Sequence, residues 1–310
     1  MCKTISTLGM DQETWLKLRK NGIGGSDAGA VCGLNPYTSS MAVYWEKITD
    51  KLELSDNEAM RQGRDLEEYV ARRFMEETGL KVRRSNKMYW SEEYPFMYAD
   101  VDRLVVGEGA GLECKTVSAY NVDKWKDGAI PMHYLAQCFH YMIVTGKRVW
   151  YIAAVILGTQ FVYSRIEWDE EFASQLIALE SAFWNDHVLT EQMPDPDGSE
   201  SCSAVLEKYF HKVRKEGAVV LPVDMEERLN RRGDISEKIR QLEKEKSLIE
   251  QEVKVFMDGH GEANSEHYRV IWQEINSERL DTKRLKQEQP EIYHKYVRGI
   301  RSSRFMIKAA

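Results

Sequence analysis

The sequence has 310 residues, of which 43% are hydrophobic, enough to bury one large core or a core with a smaller second domain. Its net charge of −7 argues against a protein that coats nucleic acid non-specifically, although local basic patches remain compatible with DNA contact. The five cysteines have neither zinc spacing nor a Cys-x-x-Cys motif. With no signal peptide or membrane span apparent, we expect a cytoplasmic protein.

Near the N-terminus, a glycine-rich turn at residues 23–26 precedes a short predicted helix that ends at Gly33. Ser26 is a suitable N-cap for that helix. The free N–H groups of such a turn can bind an anion, and Arg19 can add a bidentate grip on a phosphate. Asp27 would repel a phosphate unless its carboxylate turns aside, and a plain helix-packing turn is the alternative interpretation.

Residues 57–79 follow the pattern of a long amphipathic helix with Gly79 as its C-terminal stop. Its apolar stripe consists of Leu66, Val70 and Phe74. Gly63 lies inside this helix at a cost of about 1 kcal/mol relative to Ala, which suggests close approach of another backbone or a ligand. Glu67 follows one turn later and is either a functional carboxylate or an ordinary surface residue.

Two runs of strand-forming residues, 96–106 and 111–116, are separated by glycines and predict a hairpin. In such a hairpin Asp102 would lie beside Glu113, and Lys115 would share a strand face with Glu113. Two carboxylates and an ammonium can bind a hard divalent cation with a water beside it, the chemistry that phosphodiester hydrolysis needs. The alternative is a solvated strand face with a cross-strand ion pair.

A further helix is predicted over residues 131–146, which begin with Pro and end with Gly. Gln137 and Tyr141 are four residues apart and therefore share one face of this helix. Each has an ordinary alternative role, as a polar helix residue and as a core aromatic respectively. A helix over 168–184 is expected to close this part of the fold.

A turn-rich linker at residues 193–199 divides the sequence into two predicted domains, 1–192 and 193–310. In the second domain, residues 224–258 form a charged helical tract in which apolar residues recur at three-, four- and seven-residue steps. This seam consists of Ile235, Ile239, Leu242, Ile249, Val253 and Phe256. The pattern predicts a coiled-coil-like arm that packs on its own neighbours or on a second subunit, followed by a strand over 267–275 and a basic tail.

Taken in order, the Gly-x-x-x-Glu helix, the Asp strand, the Glu-x-Lys strand and the Gln-x-x-x-Tyr helix resemble the PD-(D/E)xK nuclease core. More narrowly, the chain resembles the lambda-exonuclease/YqaJ-type phage recombination nucleases, to which residues 15–37 and 134–154 are also similar. The resemblance implies an α/β fold with a restriction-endonuclease-like core, a central mixed sheet flanked by helices. The coiled-coil-like C-terminal extension departs from the compact lambda-type enzyme.

The resemblance also implies a metal site. Asp102 and Glu113 would ligate catalytic Mg²⁺, one ion or two, with Mn²⁺ as a substitute, and the backbone carbonyl of Cys114 would be a further ligand. Glu67 would help to hold the same ion or a second one. Asp100 shares a strand face with Asp102 and could compete for this role, but the Asp-x-Leu motif and the spacing to Glu113 favour Asp102.

Other residues take roles in the reaction by the same resemblance. Lys115 would orient or deprotonate the attacking water and offset negative charge in the transition state. Gln137 would lie close to the metal water and the scissile phosphate, with Tyr141 behind it. Arg19 and Ser26 would hold the 5′-terminal phosphate of the strand being degraded, which would give the enzyme a 5′-to-3′ direction.

The expected activity is therefore Mg²⁺-dependent exonucleolytic hydrolysis from the 5′ ends of duplex DNA. It would leave 3′ single strands for a RecT-like annealing partner, in the cytoplasm of a bacterial host that carries a phage or prophage. The resemblance further implies a homo-oligomer, with a trimer as the family's form. Two alternatives remain open: an endonuclease on the same scaffold, and a non-catalytic adaptor that binds DNA ends.

Overall fold

A computed structural model describes residues 2–49, 58–212, 217–299 and 305–308. The chain divides into two compact units, Met1–Val213 and Arg214–Ala310. The predicted domain boundary lies earlier, after residue 192, because the turn-forming residues at 193–199 favour a division there. A helix that the sequence analysis did not predict, α7 (Glu200–Lys212), follows this linker and packs on the helix at Ser40–Ile48, within the first unit.

The first unit alternates helices and strands. Its described α-helices are α1 (Gln12–Arg19), α2 (Gly25–Val31), α3 (Ser40–Ile48), α4 (Glu58–Thr78), α5 (Met132–Thr145), α6 (Glu170–Ala182) and α7. Its described strands are β1 (Cys2–Ser6), β2 (Ile23–Gly24), β3 (Val82–Arg84), β4 (Lys87–Ser91), β5 (Met97–Asp100), β6 (Arg103–Val105), β7 (Ala110–Val117), β8 (Val149–Ile156) and β9 (Gln160–Glu167). A 3₁₀ segment, Ala119–Gly128, precedes α5, and a π-helical segment, Phe183–Val188, extends α6.

The central sheet of the first unit has five strands in the order β3-β6-β7-β8-β9. Strands β7 and β8 are parallel and the other neighbouring pairs are antiparallel, so the sheet is mixed. A second sheet has the order β1-β4-β5-β2. The predicted fold class, a mixed α/β core flanked by helices, is therefore confirmed.

Helices cover both faces of the central sheet. On one face, Val70 and Phe74 of α4 pack with Leu112 and Ala153. On the other face, α5 packs against a cluster that includes Trp150 and Ile152 of β8. Because successive strand residues point to opposite faces, the neighbours Ile152 and Ala153 belong to different layers. The predicted helices over 57–79 and 131–146 are thus present with nearly their expected bounds.

Two local predictions were wrong. Residues 96–106 are not one strand, because β5 pairs in one sheet and β6 in the other, with Asp102 at the crossing between them. Gly63 is not a site of close backbone approach, since a Cβ built there meets no described atom within 4 Å, and only the alternative, close approach of a ligand, stays a prediction.

The second unit is dominated by the helix α8 (Val223–Met257), which has 35 residues and confirms the predicted helical tract, whereas its coiled-coil-like packing stays a prediction. After it come β10 (Glu262–Asn264), β11 (Arg269–Ile271), α9 (Thr282–Glu288) and α10 (Pro290–Tyr296). The strand expected over 267–275 is shorter, because only three residues pair with β10. Residues 300–304 of the predicted basic tail lie outside the described residues. Among the described helices, none combines the length and the apolar content needed to cross a membrane.

Candidate active site

Glu113 and Lys115 lie near the middle of β7, whose parallel partner β8 is almost wholly buried. Their two-residue spacing directs both side chains to the sheet face that α5 covers. Gln137 and Tyr141 lie one helical turn apart on α5 and point toward the same place. The sheet and the helix thus bring together four side chains that the sequence analysis had singled out.

These side chains form one hydrogen-bonded cluster. Lys115 Nζ donates to Glu113 Oε1 at 2.6 Å and to Gln137 Oε1 at 2.9 Å. Gln137 Nε2 donates to Glu113 Oε1 at 2.7 Å and to the Tyr141 hydroxyl at 2.9 Å. The ammonium also lies 4.8 Å from the centre of the Tyr134 ring, a cation–π contact that the sequence analysis missed. Because the side-chain amide of Gln137 accepts from Lys115 and donates to Glu113 and Tyr141, Gln137 fixes the positions of these neighbours.

Asp102 joins the cluster from the crossing between β5 and β6. Its Oδ2 accepts a hydrogen bond from the backbone N–H of Cys114 at 2.8 Å, which holds the carboxylate over the middle of β7. Burial raises the pKa of Asp102 well above its usual range, and the charge of Glu113 raises it further. The predicted proximity of Asp102 to Glu113 therefore holds, although Asp102 precedes its strand rather than ending one.

The positive charge of Lys115 partly neutralises the charges of Asp102 and Glu113. Burial by itself would lower the pKa of the Lys115 ammonium, but the charges of Glu113 and Asp102 outweigh burial and raise the pKa above its usual range. The group is consequently a cation at neutral pH, suited to orienting a water and to offsetting negative charge.

Glu67 approaches from α4 but is engaged by a neighbour. Its carboxylate forms an ion pair with Arg103, a residue with only 4% of its side chain exposed. Arg103 also donates to the Asp102 carbonyl at 2.9 Å and to Glu68 at 3.0 Å. Burial and the nearby charge of Asp102 raise the pKa of Glu67, while Arg103 opposes that rise. Glu67 thus lies next to Asp102 with its charge already partly neutralised.

The residues present fit a hard divalent cation. Glu113 Oε2 is buried without a hydrogen-bond partner in the described structure, and the like charge of Asp102 lies beside it. An unpaired buried carboxylate oxygen is costly, and a bound cation would relieve both the missing bond and the repulsion. Within the described ranges, no three His, Cys, Asp or Glu side chains form a ready metal cage. Mg²⁺ does not require one, because it is usually held by one or two carboxylates with waters and substrate phosphates.

The predicted phosphate residues lie together in a second place. Arg19 Nη2 donates to Ser26 Oγ and to Asp27 Oδ1, both at 2.8 Å. Asp27 is buried and also accepts from the fully buried Lys47 ammonium at 2.8 Å. Burial alone would raise the pKa of Asp27, but the charges of Lys47 and Arg19 reverse this and lower it. The repulsion expected from Asp27 is therefore offset by two cations.

Ser26 is not the N-cap that the sequence suggested. Helix α2 begins at Gly25 and has Gly24 as its N-cap residue, and the Gly24 N–H donates to Asp27 Oδ2 at 3.0 Å. The cap is thus closed by the Asp27 carboxylate from inside the helix, which frees the Ser26 hydroxyl to accept from Arg19.

A cavity of about 120 Å³ lies between the predicted phosphate residues and Tyr141 of the first cluster. It is lined by Trp15, Arg19, Gly24, Gly25, Ser26, Met88, Tyr98, Asp100 and Tyr141. Asp100, the alternative metal ligand, instead accepts a hydrogen bond from Trp15 Nε1 at 2.7 Å in this cavity. Gly25 is required at its wall, because a Cβ there would lie 2.3 Å from the Tyr141 ring. Tyr141 consequently contacts the cavity on one side and Gln137 on the other.

Sequence reasoning missed Lys47 and Arg103. Each is a buried cation in an apolar stretch, Lys47 on α3 and Arg103 on β6. Burial of a charge is unfavourable unless a partner is present, so a Lys or Arg inside an apolar strand or helix is a usable signal for a nearby carboxylate.

A buried His–Glu pair supports the cluster from behind. Both carboxylate oxygens of Glu180 on α6 accept from His140 Nδ1 at 2.9 Å, and His140 Nε2 donates to the Tyr98 carbonyl at 2.8 Å. Both side chains are fully buried. Although burial lowers the pKa of His140, Glu180 raises it by more, and burial also raises the pKa of Glu180. This pair ties α5, which carries Gln137, to α6 and β5.

Glu180→Ala is expected to lower the free energy of unfolding by about 3–5 kcal/mol, because it removes the buried hydrogen-bond partner of His140 and leaves a cavity. Urea unfolding of the metal-free protein measures this. Glu171→Ala on the exposed face of the same helix is the matched control and should stay within about 0.5 kcal/mol of the unmodified chain. Equal stabilities for the two variants would contradict the role given to the pair.

The fold and the cluster together define the class of protein. A mixed sheet with a Glu-x-Lys strand, an acidic helix on one face and a Gln-x-x-x-Tyr helix on the other is the PD-(D/E)xK arrangement. The model of the YqaJ-like viral recombinase domain matches residues 14–148. The uncharacterized protein YqaJ of Bacillus subtilis (strain 168) is 37% identical over 303 residues, covering 96% of this chain and 95% of the relative. The chain belongs to the family of YqaJ-like viral recombinase domains.

Solved structures show weaker likeness. An alkaline exonuclease from Laribacter hongkongensis, LHK-Exo, in complex with dAMP, is 22% identical with a TM-score of 0.48, covering 65% of this chain and 98% of that chain. A phage related exonuclease from Haemophilus somnus 129PT is 14% identical with a TM-score of 0.41, covering 57% and 99% respectively.

Proposed function

We propose that this protein is a Mg²⁺-dependent DNA exonuclease that hydrolyses phosphodiester bonds from the 5′ ends of duplex DNA. The observation that carries the proposal is the single cluster of Asp102, Glu113, Lys115 and Gln137 between β7 and α5. Membership of a viral recombinase family supports the ends of duplex DNA as the substrate of phosphodiester hydrolysis by this cluster.

In this proposal Asp102 and Glu113 hold the metal, with the Cys114 carbonyl as a further ligand and Glu67 beside them. Mg²⁺, when bound, would polarise the scissile phosphate and lower the pKa of a coordinated water. Lys115 stays protonated, donates to the attacking oxygen and offsets charge that develops on the phosphate.

Two neighbours complete this arrangement. Gln137 keeps the Lys115 ammonium and the Glu113 carboxylate in a fixed relation, so little reorganisation is needed during the reaction. Arg103 keeps Glu67 close to Asp102 without leaving an unpaired negative charge there.

The cavity beside the cluster supports the exonuclease over the endonuclease. Arg19 and Ser26 would take the 5′-terminal phosphate, with Arg19 exchanging its bond to Ser26 for bonds to the phosphate. Tyr141 lies between this cavity and Gln137, so a terminal phosphate bound in the cavity would lie next to the proposed hydrolytic cluster. An endonuclease would have no use for a pocket that binds a chain end.

The recombination context extends the proposal. The 3′ single strand left by such an enzyme would be the substrate of a RecT-like annealing protein in the cytoplasm of a bacterial host. A homo-oligomer, with a trimer as the form implied by the family resemblance, is part of the same proposal.

Digestion of three DNA substrates tests the proposal. We expect loss of linear duplex with 5′-phosphate ends, slower loss of the same duplex with 5′-hydroxyl ends, and an intact closed circle. Cutting of the circle would replace the exonuclease with an endonuclease on the same cluster. Binding to ends without cutting of any substrate would support the adaptor instead.

Arg19→Ala is expected to slow digestion of 5′-phosphorylated ends by about 10- to 100-fold while changing 5′-hydroxyl ends much less, because charged hydrogen bonds to the phosphate are lost. Initial rates on the two substrates measure the difference. Lys17→Ala removes an exposed cation from the same helix and is the control. Since Arg19 also neutralises Asp27, Ser26→Ala serves as a milder second variant. An equal loss of rate on both substrates would contradict the proposed phosphate pocket.

A further inference from the structure

Tyr37 presents an exposed aromatic ring on a loop that hydrogen bonds hold in place. The residue has 63% of its surface exposed. The Asn35 side chain accepts from the backbone N–H groups of Tyr37 at 2.8 Å and Thr38 at 3.2 Å. The backbone N–H groups of Leu34 and Asn35 donate to the Gly29 carbonyl of α2 at 2.8 and 3.0 Å. A ring on such a loop is preorganised, so little conformational freedom is lost when it contacts a ligand.

A series of ring contacts connects Tyr37 with the ammonium of Lys115. The Tyr37 ring meets the His133 ring edge-on, with centroids 6.4 Å apart and an interplanar angle of 83°. The centroid of the His133 ring lies 4.0 Å from that of Tyr134, and the Lys115 ammonium lies 4.8 Å from the Tyr134 centroid. The Tyr37 ring therefore lies beside the proposed hydrolytic cluster, on the side of Tyr134.

The order of residues along α5 relates Tyr37 to the DNA strand. Tyr141 borders the proposed phosphate pocket. Gln137, one turn earlier, belongs to the hydrolytic cluster, and His133, one turn earlier again, contacts Tyr37. Helix residues four apart are separated by about 6 Å along the axis, comparable to the step between phosphates of an extended strand. A strand with its 5′ phosphate in the pocket would therefore have its scissile phosphate at Gln137 and its second base near Tyr37.

We propose that the Tyr37 ring stacks on the base of the second nucleotide of the strand that is being degraded. This inference rests on the proposed function, because the scissile phosphate lies on the 5′ side of that nucleotide. Aromatic side chains bind unpaired bases by stacking, since every base has a π face. There is space for a base, because Tyr37 also lines an open cavity of about 540 Å³ together with Trp45 and Met60.

His133 supports the Tyr37 ring and is not a cation for a phosphate. Burial lowers the pKa of His133, and the charges of Lys115 and Lys124 lower it further, to about 4. The imidazole is thus uncharged at neutral pH. Helix α2 packs directly on this residue, because a Cβ built at Gly29 would lie 2.7 Å from the His133 Cβ. His133 is consequently a positioning residue for the Tyr37 ring.

Equilibrium binding of a DNA end to the full chain in EDTA tests the stacking without cleavage. The probe is a 5′-phosphorylated duplex with its first two 5′ nucleotides unpaired, and it carries either a base or an abasic site at the second nucleotide. We expect Tyr37→Leu to weaken binding of the base-containing probe by about 5- to 100-fold and of the abasic probe by less than about twofold. Tyr37→Phe keeps the ring and should bind both probes like the unmodified chain.

Tyr163→Leu is the matched control. It removes a partly exposed ring from β9 that packs on Phe74, on the sheet face opposite Lys115, and it should leave the ratio of the two affinities unchanged. An equal loss of affinity for both probes in Tyr37→Leu, while the unmodified chain degrades DNA with Mg²⁺, would overturn the stacking site and leave the proposed function intact. Failure of the unmodified chain to bind either probe would contradict the proposed function and this inference with it.

Discussion

Lys115→Ala is expected to reduce the rate of DNA cleavage by about 10³-fold, because it removes a cation that contacts both Glu113 and Gln137. In the proposed mechanism the ammonium offsets charge that forms only in the transition state, so we expect the loss in the rate at saturating DNA rather than in DNA affinity. Single-turnover digestion of a linear duplex, beside an equilibrium DNA-binding measurement without metal, separates these two quantities.

Folding must be checked in the same variant, because Lys115 also balances two carboxylates. Lys115→Met keeps an unbranched side chain of similar volume without the ammonium and should show the same loss of rate with less disturbance of packing. Lys87→Ala removes an exposed cation from β4 and should leave cleavage unchanged. Near-normal cleavage by folded Lys115→Ala or Lys115→Met would exclude this lysine from the reaction.

Asp102→Asn is expected to abolish cleavage and at the same time to stabilise the metal-free protein. Burial and the charge of Glu113 raise the pKa of Asp102, so its ionised form is held at a cost in the absence of a cation. The Asn oxygen can still accept from the Cys114 N–H, and we expect a gain of about 0.5–2 kcal/mol in unfolding free energy.

Urea unfolding with EDTA measures the gain, and a parallel titration with Mg²⁺ provides a second reading. The unmodified chain should gain stability from Mg²⁺, whereas Asp102→Asn should gain little, since a ligand stabilises only the fold that binds it. A variant that is less stable than the unmodified chain in EDTA would mean that Asp102 is a structural residue without electrostatic strain.

Short-range periodicity predicted much of this site. The two-residue spacing of Glu113 and Lys115 fixed their common strand face, and the four-residue spacing of Gln137 and Tyr141 fixed their common helix face. Both relations depend only on local backbone geometry, which the sequence pattern specifies. The heptad-like seam predicted α8 for the same reason.

Long-range pairing limited the prediction. Residues 96–106 change sheets at Val101–Asp102, and nothing in their strand-forming composition marks that crossing. The placement of Lys47 beside Asp27 depends on how α3 packs on α2, over 20 residues of sequence separation. The Arg103–Glu67 pair likewise joins two elements whose contact the pattern of either one does not reveal.

The most direct test of the central claim is digestion of a 5′-phosphorylated linear duplex by the full chain with Mg²⁺, with EDTA, and with Mg²⁺ restored after EDTA. If Asp102 and Glu113 hold a metal as proposed, we expect rapid loss of DNA with Mg²⁺, none with EDTA, recovery on restoration, and no cleavage by Glu113→Gln under any condition. Cleavage that persists in EDTA, or that Glu113→Gln retains at a near-normal rate, would contradict the assignment of this cluster as the hydrolytic site.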